Sequence, residues 1–396
     1  MIDSNLAVIK AADQPSRRNQ RMNQAQHQSF FIETESGVGR EVCSRYEVGM
    51  MDLQYLELPY LHGGPLGRAR FKELPDDFEV EELLGFEPSG VGEHCLVWAE
   101  KRDLDSNVAA ARLADALGLR RRLVSHCGLK DRHAVTRQWF SLHMPGHPSP
   151  EPETLESEGL RVLRLSRNTR KLRRGIHLGN RFTIRLREPD FEVAAAAQRW
   201  SQIASRGAPN LFGSQRFGHE GRNVEKALAM FRGEFIPGDR LLRGLLLSAV
   251  RSHLFNAVVA ERMRLGLWDV AQAGEVYGFP DNGTLLLIEN QRGDEMQRFA
   301  DGRLELTAPL WGCGELTTAG AVRDLEMAVM SRYPELTAGL EAAGLRQERR
   351  VMRLRPIQPA FSTLPDGDLE LSFDLPRGTY ATTLLRELAV LEEPHY

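Results

Sequence analysis

Segments with strand character flank a long helical middle, and this arrangement constrains the fold more than any other feature of the chain. Phe78–Glu82 alternates apolar and polar residues after the polar turn Pro75-Asp76-Asp77, and Gly179–Leu186 and Leu369–Leu375 alternate in the same way. His94–Glu100, Leu123–Cys127 and Gln138–Met144 are apolar and rich in strand formers. The strands at 78–82 and 94–100 follow each other closely, and they are expected to pair. From Gly207-Ala208-Pro209-Asn210 to about Arg353 the pattern changes to helical. Leu247, Val250, Leu254 and Val258 form one buried stripe with Gly266 near its end, and Leu325–Tyr333 reads as a further helix. Strand character then returns, and Thr379–Leu388 reads as strand passing into helix. The chain is therefore a sheet-rich part, a helical insertion, and a return to the sheet.

Two shorter helices belong to the first part. Ser106 is an N-cap candidate for a stripe of Ala109, Leu113, Ala116 and Leu117, with Gly118 placed to end it. Phe191–Arg206 is the second. Tyr60–Gly67 is glycine-rich but lacks the Lys-Ser/Thr of a phosphate loop, so it reads as a turn, and Pro145–Glu158 reads as an exposed loop. Residues 14–28 are rich in Gln, Asn and Arg and cannot bury enough apolar surface to fold alone. Residues 1–50 are expected to be an extension or an upstream mis-assigned start, with Met50-Met51 the alternative beginning. No apolar run reaches the length of a membrane span, and the four cysteines are widely spaced, as in a reducing cytoplasm.

The most specific local feature is Gly128-Leu129-Lys130-Asp131-Arg132-His133-Ala134-Val135-Thr136. It sets one carboxylate between two cations on a loop joining two strands. Positive neighbours favour the charged carboxylate, a nucleophile or proton acceptor suited to a polyanionic substrate. The same residues also read as a charged turn. Formal net charge is −3, so the chain as a whole is not basic. The run Arg161, Arg164, Arg167, Arg170, Lys171, Arg173 and Arg174 therefore stands out as a nucleic-acid contact, or as a solvated face. His126, Cys127, His133, His143 and His147 fall close together, but Pro145-Gly146 removes the helical meaning of the His143/His147 spacing. No dinucleotide fingerprint, Walker loop or Gly-x-Ser-x-Gly elbow is present. A lone aspartate, basic surroundings and aromatic platforms suffice to isomerise a nucleoside held out of its stack, without metal or redox cofactor. The alternatives are an RNA-binding protein without catalysis and a metal-dependent RNA hydrolase built on the histidines.

The block 128–136 resembles the TruD family of tRNA pseudouridine synthases. Four further blocks agree in order: Pro75–Glu81, Gly179-Asn180-Arg181-Phe182, Pro209–Gly218 and Leu375–Thr382. The similarity runs from about Tyr60 to Leu388. It implies an α+β fold: a pseudouridine synthase core with a mostly antiparallel or mixed sheet and flanking helices, and an inserted family-specific α/β domain. The implied divisions are 51–206 and 355–396 for the core and 207–354 for the insertion. The resemblance implies conversion of uridine to pseudouridine in tRNA, at position 13 in bacterial members, with no cofactor. Asp131 matches the catalytic aspartate. Phe78, Asn180 and Tyr380 match positions associated with the target nucleotide, and Phe182 an aromatic that stacks on the base. Lys130, Arg132, Arg170, Lys171, Arg173, Arg174 and Arg216 are candidate RNA contacts. Tyr380 stands where Phe is familiar, and the first fifty residues have no counterpart. The expected partner is tRNA, in the cytoplasm, with no membrane and no obligatory protein partner.

Overall fold

Strands predicted from alternation on both sides of the helical middle meet in one sheet. The computed structural model describes residues 58–218, 221–280, 284–287 and 293–394, so the expectation for residues 1–50 lies outside the described residues. The first part of the chain forms β1 (Arg68–Phe71), β2 (Phe78–Leu83), β3 (His94–Arg102), α1 (Ser106–Ala116), β4 (Val124–His126), β5 (Val135–His143), α2 (Pro152–Leu155), β6 (Leu160–Asn168), β7 (Gly179–Arg187) and α3 (Val193–Arg206). The middle forms β8 (Ala208–Pro209), α4 (Asn223–Phe231), α5 (Arg240–Arg264), β9 (Val276–Gly278), β10 (Leu285–Leu287), α6 (Gly293–Ala300), β11 (Glu305–Leu310), α7 (Gly320–Met330), α8 (Pro334–Ala342), β12 (Glu348–Val351) and β13 (Arg353–Leu354). The end forms β14 (Ile357–Thr363), β15 (Leu369–Pro376), α9 (Ala381–Leu385) and β16 (Val390–Glu392).

The large sheet runs β14-β15-β7-β2-β5-β3-β6, with β1 beside β7 and β16, and β4 beside β5. β2 with β5 and β1 with β16 are parallel, and its other pairs are antiparallel. The fold is α+β. The C-terminal β15 lies along the full length of β7, from Leu369 opposite Leu186 to Pro376 opposite Gly179. β2 and β3 do not pair, because β5 lies between them. Residues 84–93 connect them with three glycines and a proline, too long for a tight hairpin and long enough to pass over one strand position.

Apolar alternation buries one face of this sheet in two places. Under α3 and α9 lie Phe78, Val80, Phe182, Ile184, Leu371 and Phe373 with Trp200 and Ile203. Under α1 lie Val97, Ala99, Phe140 and Leu142 with Ala109 and Leu113. The opposite face is laced with ion pairs, including Arg137 to Glu79 and Glu100 and Arg181 to Asp374. In α1 two details differ from expectation. Asp105 caps the helix, accepting from the amides of Asn107 (2.7 Å) and Val108 (3.2 Å), and Ser106 is fully buried. Ala116 is exposed, and Ala114 takes the inner position instead.

β8 pairs with β13, Ala208 opposite Leu354 and Pro209 opposite Arg353, where the chain leaves the large sheet and returns. Between them α5 is buried on nearly every side from Leu246 to Arg262, and the expected stripe of Leu247, Val250, Leu254 and Val258 lies within it. A small sheet, β10-β9-β11-β12, packs beside it. His253 of α5 is 7% exposed, lies edge-on to Tyr333 at 5.2 Å, and has no partner for Nε2. Burial pushes its pKa down to about 4 from an ordinary 6.5. The folded histidine is therefore neutral where the unfolded one is protonated. Its contribution is complete above pH 6.5 and is lost as pH falls toward 4. Urea unfolding at pH 7 and 4.5 is expected to show about 2–3 kcal/mol of acid loss from this group, largely removed in His253→Phe. An unchanged acid loss in that variant would contradict the assignment.

Candidate active site

Between the two apolar cores the same sheet face turns polar. Residues facing each other in register share a face. Asn180 lies opposite Glu82, Phe182 opposite Val80, Val80 opposite Thr136 and Thr136 opposite Lys101. Gln138, two residues along β5 from Thr136, belongs to the same face. Glu82, Lys101, Thr136 and Gln138 are all at most 3% exposed. A sheet face that could have been filled with aliphatic side chains instead buries hydrogen-bonding groups, which is costly unless they serve a purpose. Thr136 Oγ1 and Asn180 Oδ1 are buried without a hydrogen-bond partner.

The loop from β4 to β5 carries Asp131 over this polar seam. The Asp131 carboxylate is 44% exposed and lies 3.6 Å from the Lys72 ammonium. Lys72 follows β1 and is held with φ +58, in the left-handed region that non-glycine residues rarely occupy. Such strain collects at functional sites. Its ammonium sits 4.1 Å from the centroid of the Phe78 ring. Phe71, Phe78, Phe182 and Phe373 continue as a chain of rings with centroids 5.5, 5.9 and 5.6 Å apart. Sequence reasoning missed Lys72. No motif marks it, and its approach to Asp131 depends on β1 joining the sheet beside β7.

The other expected residues fall into three groups. Phe78 and Phe182 are 3% and 6% exposed, and Phe182 stacks on Phe373. The aromatic expected to stack on the base is therefore a core side chain here, because its parity on β7 points it under α3. Tyr380 is half-buried, and its hydroxyl accepts from Arg216 at 2.7 Å, while Arg216 also donates to Ser248 Oγ at 3.1 Å. Tyr380 and Arg216 thus join the C-terminal return to the helical middle, and Arg350 lies 4.4 Å over the neighbouring Phe212 ring.

Lys130 is a correction. Its ammonium is 4% exposed and donates to Glu82 at 2.7 Å, so it is not a surface cation. Successive side chains on an extended loop point to opposite sides, and Asp131 faces out where Lys130 faces in. Arg132 is outward, 75% exposed and 3.8 Å from Asp103. Arg170, Lys171, Arg173 and Arg174 are exposed. The last three line a groove of about 710 Å³ with Arg121, between α1 and β4. Arg121 was not singled out from sequence, because Arg120–Arg122 lies in a turn far from the other cations along the chain.

The histidines do not converge. His126 Nδ1 lies 2.8 Å from the Gly128 carbonyl, His143 stacks on His94 at 4.8 Å, and His133 faces Asp103. Among the described residues, the group with metal-ligand reach is Glu82, Cys127 and His177. The Lys130 ammonium already supplies positive charge to Glu82. Burial pushes the Cys127 thiol well above its ordinary range and holds His177 neutral.

Comparison with known proteins bears on the family and the fold. The family described as tRNA pseudouridine synthase D (TruD) matches residues 59–236 and 222–388. A tRNA pseudouridine synthase D of Chromohalobacter salexigens is 43% identical over 335 residues, covering 83% of this chain and 95% of that protein. Its counterpart in Ectopseudomonas mendocina is 44% identical over 341 residues, covering 86% and 96%. A crystal structure of a putative tRNA pseudouridine synthase D from Methanosarcina mazei has a TM-score of 0.66 over 83% of this chain and 95% of that one, and at 20% identity it bears on the fold.

Proposed function

The chain belongs to the TruD family of tRNA pseudouridine synthases, and from that premise we propose that Asp131 is the group that acts on the target nucleotide, at position 13 of tRNA. The family's reaction isomerises uridine to pseudouridine. The C1′–N1 bond breaks, the base turns, C1′ joins C5, C5 loses its proton and N1 gains one. Nothing is oxidised or reduced, so we infer that no redox cofactor takes part. Asp131 either attacks C1′ or removes a sugar proton.

The observation that carries the reading is the Asp131–Lys72 pair at the rim of a buried polar seam. Lys72 orients the carboxylate and balances its charge beside an RNA phosphate chain. Asn180 Oδ1, buried and unpartnered, is a suitable acceptor for the N3–H of uracil. Phe78 supports Lys72 from below, Phe182 backs Phe78, and Tyr380 with Arg216 forms the far rim. Residues 51–206 and 355–396 form the catalytic core in this reading, and 207–354 is the insertion whose ends meet at β8 and β13. The enzyme is expected to work where tRNA is processed in the cytoplasm. Transcripts carrying U13 or C13 test the position: product is expected only with U13, and equal product from both would refute it.

Arg121, Lys171, Arg173 and Arg174 are exposed cations around one groove, suited to RNA phosphates. Replacing Lys171, Arg173 and Arg174 together by Glu is expected to weaken tRNA binding at least about tenfold and to flatten the dependence of log K on log salt by about 2. Filter binding between 50 and 200 mM salt reads both, and an unaltered slope would remove the groove from the RNA path.

A further inference from the structure

We infer that Glu82, Ser106 and Gln138 form a clamp that positions the Asp131 loop, so that they act on the reaction through backbone placement rather than by touching the substrate. The inference rests on the reading of Asp131 as the reacting group. Two backbone groups just before Asp131 are held by side chains from rigid elements. The Gly128 carbonyl accepts from Gln138 Nε2 at 3.2 Å and faces His126 Nδ1 at 2.8 Å. The Lys130 amide donates to Ser106 Oγ at 3.0 Å. Ser106 Oγ in turn donates to Gln138 Oε1 at 2.7 Å, which ties the two holding groups together. Lys130 is held a second time, by its ammonium on Glu82 Oε2, and Glu82 Oε1 is fixed by the Trp139 amide at 3.1 Å.

Each holder stands on the scaffold: Glu82 on β2, Ser106 at the first turn of α1, and Gln138 and Trp139 on β5. Ser106 and Gln138 are fully buried. Ser106 is free for this task because Asp105 caps α1 in its place. Leu129, between the two clamped backbone groups, is 56% exposed, so the loop has little apolar packing of its own to hold it. A buried ion pair contributes weakly to stability, and its better-attested use is to fix one arrangement among several. Here the arrangement fixed is that of the residue next to Asp131. Misplacing a reacting group by about 1 Å costs on the order of 10²-fold in rate.

Ser106→Ala and Gln138→Leu, each in the full chain, test the clamp. Three readouts are needed: hydrogen exchange of the segment 126–134, the single-turnover rate at saturating enzyme, and the Kd for tRNA. The expected result is exchange at least tenfold faster in that segment, a single-turnover rate 10- to 100-fold lower, and a Kd within threefold of wild type. Melting temperatures well above the assay temperature exclude loss of fold, and Gln138→Leu keeps the test alive if Ser106→Ala does not fold. Unchanged exchange in the folded variants would overturn the clamp. Faster exchange with an unchanged rate would overturn its role in positioning. Wild-type protein that forms no product would overturn the reading of Asp131, while exchange would still decide whether the clamp exists.

Discussion

Asp131→Asn is expected to lower turnover by about 10⁴-fold or more while leaving the protein folded and the Kd for tRNA within about tenfold. The substitution keeps the shape of the side chain and removes its charge. Asp131 is nearly half exposed, and its contact in the structure is the Lys72 ammonium at 3.6 Å, so no core packing depends on it. A replacement at such a position ordinarily changes stability by no more than about 0.5 kcal/mol. Affinity should persist because phosphate contacts dominate it, and the exposed cations at Arg121 and 171–174 are untouched. Product assayed as pseudouridine in digested tRNA, beside filter binding and thermal melting, separates the three effects. Turnover within tenfold of wild type would remove Asp131 from the chemistry.

Lys72→Met is expected to cost about 10²-fold in turnover, the usual effect of deleting one charged group aimed at a reacting centre. The Met side chain keeps the apolar stem over Phe78 and loses the charge beside Asp131. Lys72→Gly adds an independent check. Glycine adopts the left-handed backbone at this position without the cost of about 1 kcal/mol that lysine bears. The Gly variant should therefore lose activity like Met while the backbone term favours its fold. Full activity in Lys72→Met would show that the ammonium has no part in the reaction.

Much of the fold was readable because burial imposes a period. The inward parity of Phe78 and Val80, of Phe182 and Ile184, and of Leu369, Leu371 and Phe373 fixed the strands, and the stripe on α5 fixed the long helix. Strand neighbours were less readable. Nothing local states that β5 enters between β2 and β3, since residues 84–93 can turn back or pass over equally well. Lys130 flanks Asp131 along the chain, which makes it a candidate RNA contact, but adjacency in sequence does not say on which side a side chain falls, and Lys130 turns inward to Glu82. Glu82 was within reach of sequence reasoning. It continues the parity of Phe78 and Val80, and a carboxylate on the inward face of a strand signals a buried partner. Lys72 was not within reach, because its position depends on sheet order and a left-handed backbone.

Tritium release from tRNA transcribed with [5-³H]uridine is the most direct measurement, because forming the C1′–C5 bond expels the hydrogen at C5. Wild-type protein is expected to release tritium to the level of one uridine per tRNA, in EDTA as in its absence, and Asp131→Asn to release none. Release by Asp131→Asn at the wild-type rate, or none by the wild-type protein on a U13 tRNA, would contradict the account.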